Sequence, residues 1–191
     1  MGELEFHQAL SAEPTRPLRR AEYEHLVAGG AFEDERVELL EGVIVAMSPQ
    51  DPQHAGVIQF LGRAFERGVG DRAAIRTQMP LAISDKSLPE PDLAVVAPGG
   101  YRSSHPTTAM LVVEVAGNSV RKDRQIKGEL YARAAIPEYW IINLQSHIVE
   151  VHTDPTAGSY GRITPVRVGE TLRPQAFPDL EISVGDLLGV G

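Results

Sequence analysis

Two rhythms of apolar positions run along this chain, one near the helical period and one of two residues, and the switches between them mark its elements. Leu18, Ala21, Leu26 and Val27 fall at roughly helical spacing before Gly29 and Gly30, which predicts a short first helix stopped by the glycines. Residues 1–16 have no such period and read as a flexible arm. The run RVELLEGVIVAM then places strand-like segments on either side of Glu41 and Gly42, which predicts a tight hairpin with Glu38 on its first strand. Val57, Ile58, Leu61, Ala64 and Phe65 restore the helical period. They predict a helix over 52–67, capped by Asp51, ended by Gly68 and laid on a sheet.

Strand-like runs follow at 74–79, 93–96 and 110–115, the last too continuously apolar for an exposed edge. Residues 98–108 are rich in Gly, Ser and Pro and read as a loop. A helix is predicted over 120–135, stopped by Pro137, and EYWIINL and HIVEVHT then read as two strands joined near Gln145 and Ser146. Glycines and prolines from Gly158 to Pro178 break the remainder into short strands and turns before the apolar segment LEISVGDLL. Strands before and after helices, with an early hairpin, predict an α/β fold with a mixed β-sheet between helices, in one domain over 17–191.

Composition narrows the setting. The 42% hydrophobic and 23% charged residues are those of a soluble globular chain, and no apolar run approaches the roughly 20 residues of a membrane span. MGELEFHQAL carries acids where a secretory signal carries bases, so a cytoplasmic location without membrane contact is expected. The absence of cysteine excludes disulfides, thiolate metal sites and cysteine nucleophiles together. A net charge of −8 opposes broad binding to phosphate backbones, yet Arg121, Lys122, Arg124 and Lys127 form one local basic stretch.

Beside that stretch lie two acids in apolar surroundings. Asp92 follows Pro91 at the mouth of LAVV, and Glu114 stands inside LVVEVA. A buried carboxylate needs a basic neighbour, a raised pKa or a bound cation. Each residue also has an ordinary use: Asp92 as a turn cap, Glu114 in a structural ion pair, Lys127 in a helix-surface pair with Asp123, and Glu38 facing solvent on its strand. His147 and His152 are five apart on a strand pattern, hence on opposite faces, and do not suggest a shared metal. Tyr131, Tyr139 and Trp140 read as packing between helix and sheet. No Gly-rich phosphate loop and no G-x-S-x-G elbow is present, which disfavours a hydrolase of small phosphorylated molecules or a serine hydrolase.

The succession RVELLEGVIVAMSP, PDLAVV, LVVEVAGNS and RKDRQIKGELYARAAIPEYWIINL resembles the Uma family of restriction endonucleases, within the PD-(D/E)xK nuclease superfamily. The likeness spans about 38–144, and 131–140 is its most specific part. It implies a restriction-endonuclease-like sheet and Mg²⁺-dependent cleavage of DNA phosphodiesters, with Mn²⁺ as a substitute. Asp92 and Glu114 match the two acids and would ligate the metal, with the Val115 carbonyl as a third protein ligand and water completing the octahedron. The superfamily's usual lysine position falls on Ala116; in the Uma pattern the lysine stands on the following helix, at Lys127. Lys127 would orient or deprotonate the attacking water or stabilise the phosphorane, with Lys122 as its rival. Glu38 matches an early hairpin acid that touches the metal or a water on it in related nucleases. His54 matches a histidine able to donate to phosphate, although a polar contact at the helix terminus is an equal use for it. Arg121, Lys122 and Arg124 are the further expected substrate contacts. A duplex cutter needs two such sites, so a homodimer is expected, through the apolar C-terminal segment or a sheet edge. The alternative is a nucleic-acid-binding or regulatory module with little turnover on the same fold.

Overall fold

Six strands form the main sheet. The computed structural model describes residues 14–117 and 119–190, so residues 1–13 of the expected arm lie outside the described residues. The sheet runs in the order β3 (Ala74–Thr77), β4 (Leu93–Val96), β5 (Leu111–Ala116), β6 (Glu138–Asn143), β7 (Ile148–Thr156) and β8 (Ser159–Arg167). All neighbours pair antiparallel except β5 and β6, which are parallel. A parallel pair needs a crossover, and the helical stretch over 120–133 supplies it. The fold is thus the mixed α/β sheet between helices that the alternating pattern predicts.

Strand periodicity divides the two layers. Leu93, Val95, Val113, Val115, Trp140 and Ile142 share one core with Val57, Ile58, Leu61 and Phe65 of a long helix, Pro52–Val69. The intervening residues Ala94, Val112, Ala116, Tyr139 and Ile141 share the opposite core with Tyr131. Glu114 lies between Val113 and Val115 and therefore falls on that second face, toward the crossover helix. Phe65 and Trp140 meet with ring centroids 6.0 Å apart in the first layer.

The hairpin forms as expected from β1 (Val37–Leu40) and β2 (Val43–Ala46). Glu41 and Gly42 both take positive φ, 49° and 82°, which suits the twist of a two-residue turn. A Cβ on Gly42 would also lie only 2.3 Å from Cβ of Pro17, so glycine serves both the turn and the close approach. A bridge from Leu39 to Leu88 covers β1, and Glu38 is buried rather than facing solvent.

Three expectations change. The long helix runs past Gly68 to Val69 and is capped by Gly70; Gly68 instead lets Leu180 approach, since a Cβ there would stand 2.5 Å from its Cδ1. The first helix, α1 (Arg20–Ala28), buries Tyr23 and leaves Leu26 and Val27 exposed, because Tyr23 anchors it by donating to the Val37 carbonyl at 2.9 Å. The apolar C-terminal segment is not free to form an interface. Short strands β9 (Thr171–Leu172) and β10 (Ile182–Ser183) and a helical turn at Val184–Leu188 fold it back, burying Ile182, Val184, Leu187 and Leu188 in the long helix's core. Among the described residues no helix is long and apolar enough to cross a membrane.

Candidate active site

The site is assembled around the start of β4, the body of β5 and the crossover helix. The long helix, α2 (Pro52–Val69), begins there because Asp51 accepts the His54 amide at 2.8 Å and Pro52 occupies the first turn. That start presents His54 to Asp92: Nε2 lies 3.0 Å from Oδ1. The other Asp92 oxygen accepts the Val115 amide at 2.8 Å, so one carboxylate ties the start of β4 to β5. Gln78, at φ 52°, adds a backbone bond to the Asp92 carbonyl at 3.1 Å. Asp92 is not a simple turn cap; it is buried, oriented from two sides and lines a small cavity.

The crossover helix, α3, opens with Val120–Lys122, widens to a π turn over Asp123–Lys127 and resumes its ordinary pitch over Gly128–Arg133. The Asp123 carbonyl accepts two bonds, from the Gly128 amide and from the Tyr139 hydroxyl at 3.1 Å. Such widened turns are rare inside α-helices and frequent at functional sites. Lys127 does not take the ordinary alternative of a surface pair with Asp123. It is 2% exposed, with Nζ 2.8 Å from Oε1 of Glu114 and 3.1 Å from Oε2 of Glu38. Asp123 is equally buried and accepts the Ser119 hydroxyl at 2.6 Å.

Glu114 Oε1 also accepts the Tyr131 hydroxyl at 2.9 Å. Glu38 is held by Lys122 at 3.2 Å and by the Glu90 amide at 3.2 Å, and Glu90 in turn pairs with Arg36. The structure therefore brings Glu38, Asp92, Glu114, Val115, Lys122, Lys127 and His54 into one neighbourhood. A cavity of about 50 Å³ is lined by Asp92, Glu114, Val115, Asp123 and Lys127, among others. Arg121 stays on the exposed side of α3, donating to Gln125 at 3.2 Å. Arg124 does not point to the acids: its guanidinium pairs with Glu150 on β7.

Burial dominates at Glu114 and pushes its carboxyl up to about 8; Lys127 pulls it down, and Asp92 adds to the rise. Burial opposes the Lys127 charge, but Glu114 and then Glu38 outweigh it and hold the ammonium above the ordinary lysine range. Burial likewise raises Asp123, against the Ser119 bond. At His54 burial favours the neutral ring, yet the Asp92 bond and charge together win and raise it. These shifts mark a site in which one fixed ammonium is surrounded by carboxyl groups.

Two residues outside the sequence expectation enter here. Asp123 shares the cavity with the acids, and Tyr131 orients Glu114 rather than only packing. Only the helical neighbourhood of Lys127 hinted at either. Ala116, at the superfamily's usual lysine position, is fully buried in the second core, where a lysine would have to displace close-packed side chains.

Among the described residues no three His, Cys, Asp or Glu side chains form a metal cage. The carboxyl groups of Asp92 and Glu114 line a cavity with room for about one or two waters.

The family model Uma2, described as "Putative restriction endonuclease", matches residues 20–185. Among solved structures, a putative nuclease of the DUF820 group from Anabaena variabilis superposes with a TM-score of 0.73 at 15% identity, covering 91% of this chain and 99% of that one. The type IIG restriction endonuclease BpuSI is similar at a TM-score of 0.43 and 18% identity, over 79% of this chain and 17% of its own. No curated protein matches the chain.

Proposed function

The chain belongs to the Uma2 family of restriction-endonuclease-like proteins, and from that premise we propose that it is a Mg²⁺-dependent DNA endonuclease working through Asp92, Glu114 and Lys127. The observation that carries this reading is the arrival of Lys127, from a helix, between Glu114 and Glu38 in the cavity that Asp92 also lines.

Hydrolysis adds water to phosphorus and breaks the bond to one ester oxygen, with negative charge growing on the phosphoryl oxygens on the way. A bound Mg²⁺, held by Asp92, Glu114 and the Val115 carbonyl, would supply Lewis-acid stabilisation and an acidified water. The chain's own residues do the rest. His54 and the Val115 amide fix the two Asp92 oxygens, and Tyr131 fixes Glu114. Lys127, paired with both Glu114 and Glu38, presents an ammonium that would neutralise charge growing on the phosphoryl group. Glu38 also holds that ammonium, with Oε2 3.1 Å from it. Lys122, bound to Glu38 from the partly open side, and the exposed Arg121 are the cations placed to meet the flanking backbone.

The decisive experiment is incubation with plasmid under Mg²⁺, Mn²⁺ and EDTA, beside Asp92→Ala and Glu114→Ala, with calorimetric titration of Mg²⁺ into each protein. Cleavage and Mg²⁺ binding in the parent, both lost in Asp92→Ala, are expected. Equal Mg²⁺ binding in parent and Asp92→Ala would move the metal elsewhere. The reading of a binding module without turnover draws on one observation, the direct Glu114–Lys127 pair in place of a lysine at position 116; DNA affinity with no cleavage under either metal would favour it.

A further inference from the structure

A second cavity of about 670 Å³ opens between α1 and the 98–108 loop, and the catalytic cavity shares two of its wall residues, Arg36 and Glu90. From this shared wall the geometry points to a nucleobase pocket that receives one unpaired base of the DNA strand beside the scissile phosphate. The inference rests on the nuclease reading and deepens it.

Charge decides between base and backbone. Three guanidinium groups, of Arg20, Arg36 and Arg102, face three carboxylates, of Glu24, Glu35 and Glu90. Arg20 pairs with Glu24, and Arg36 pairs with Glu90. A phosphodiester gains little from so balanced a wall, since backbone affinity comes from unneutralised Lys and Arg. A base gains from the same wall in two ways. Guanidinium and carboxylate edges offer donors and acceptors side by side, as the edge of a base requires. Aromatic rings offer a face to stack on.

Those rings are present. Tyr101 lies half-exposed on the loop, pinned by its hydroxyl to the Ala97 carbonyl at 2.7 Å and backed by Arg76, whose guanidinium carbon sits 5.3 Å from the ring centre. Phe32, which also lines the cavity, stacks on Tyr23 with centroids 5.9 Å apart. His105 completes the rim. Its Nδ1 accepts from Arg76 at 3.2 Å, and burial and that neighbouring charge keep the ring neutral, which leaves Nε2 as an N–H donor. The cavity volume lies in the range of ligand pockets and admits a nucleoside. A base reaches such a pocket only from an unpaired strand or by leaving its duplex, a cost smallest at bulges and mismatches.

The test is equilibrium anisotropy in EDTA with a labelled duplex carrying a one-nucleotide bulge, compared with the same duplex whose bulged nucleotide lacks its base. The parent should bind the first about 10-fold more tightly, the scale of one base stacked on an aromatic ring. Tyr101→Leu, which keeps bulk in the loop, should lose most of that preference. Tyr101→Phe, which keeps the ring and loses the hydroxyl anchor, should retain it. Equal affinity of the parent for the two duplexes, binding to neither, or an undiminished preference in Tyr101→Leu overturns the assignment. Plasmid cleavage under Mg²⁺, read in parallel, separates the two ideas. Cleavage without base preference sinks the pocket alone, whereas base preference without cleavage sinks the nuclease reading and leaves the pocket standing.

Discussion

Replacing Lys127 by Met removes one charge while keeping most of the buried stem, and the structure allows its effects to be worked out. The ammonium lies 2.8 Å and 3.1 Å from oxygens of Glu114 and Glu38, so each partner, when ionised, attracts it by gross about 5–6 kcal/mol at an effective dielectric near 20. Desolvation cancels much of this, and breaking such a buried pair costs about 3–5 kcal/mol net. The same change removes a stabilising cation from the reacting phosphoryl group, which should lower cleavage about 100-fold or more, near 3 kcal/mol in the barrier. Mg²⁺ affinity should be kept, because Asp92 and Glu114 remain and Glu114 loses a competitor for its Oε1. Saturating Mg²⁺ should then return part of the lost stability by binding only the folded state. Urea unfolding in EDTA and in Mg²⁺, calorimetric Mg²⁺ titration and plasmid cleavage read these three effects separately. Full cleavage by Lys127→Met would remove the catalytic assignment and turn attention to Lys122. A loss of stability below about 1 kcal/mol would show that the ammonium is not the buried counter-charge the geometry makes it.

Arg121→Ala should flatten the salt dependence of DNA affinity by about 0.9 in log–log slope, the value for one lost phosphate contact, whereas Arg124→Ala should leave it unchanged because Arg124 is committed to Glu150; equal slopes for the two variants would refute the distinction. His152 is buried against Tyr139 and Tyr160, and burial lowers its pKa despite nearby Glu150. The unfolded chain therefore takes up that proton more readily, so the stability contributed by neutral His152 is present above about pH 6.5 and lost as pH falls through the lower folded value. His152→Phe should reduce this acid-side loss in urea titrations at pH 5 and 7.5, and an unchanged difference between the two pH values would contradict it. Trp140→Ala should cost about 3–5 kcal/mol by emptying the fully buried contact with Phe65, measured by thermal or urea unfolding.

Local chemistry made much of the architecture legible from the chain alone. Glu41 and Gly42 between two strand-like runs, Asp51 and Pro52 ahead of a helical stripe, and Pro137 after one each encode a boundary through backbone preferences that act over a few residues. The Asp92 and Glu114 candidates were legible too, since acids beside LAVV and inside LVVEVA demand a partner wherever the chain goes, whereas Lys127 was singled out by the family resemblance. What the sequence could not express was distance across the fold. Glu38 alternates with apolar neighbours as a solvent-facing residue would, and only the covering of β1 through Leu39 and Leu88 buries it against Lys127. Lys127 and Asp123 have the spacing of a surface pair. The tertiary structure widens that turn, with the Tyr139 hydroxyl from β6 on the Asp123 carbonyl, and carries Lys127 inward. Arg124 shares the basic stretch but is drawn to Glu150 on β7, and LEISVGDLL packs under α2 instead of facing a partner. Short-range preferences are written in neighbouring residues, whereas the choice among partners for a charge or an apolar face depends on burial and on segments tens of residues away, which only the folded packing brings together.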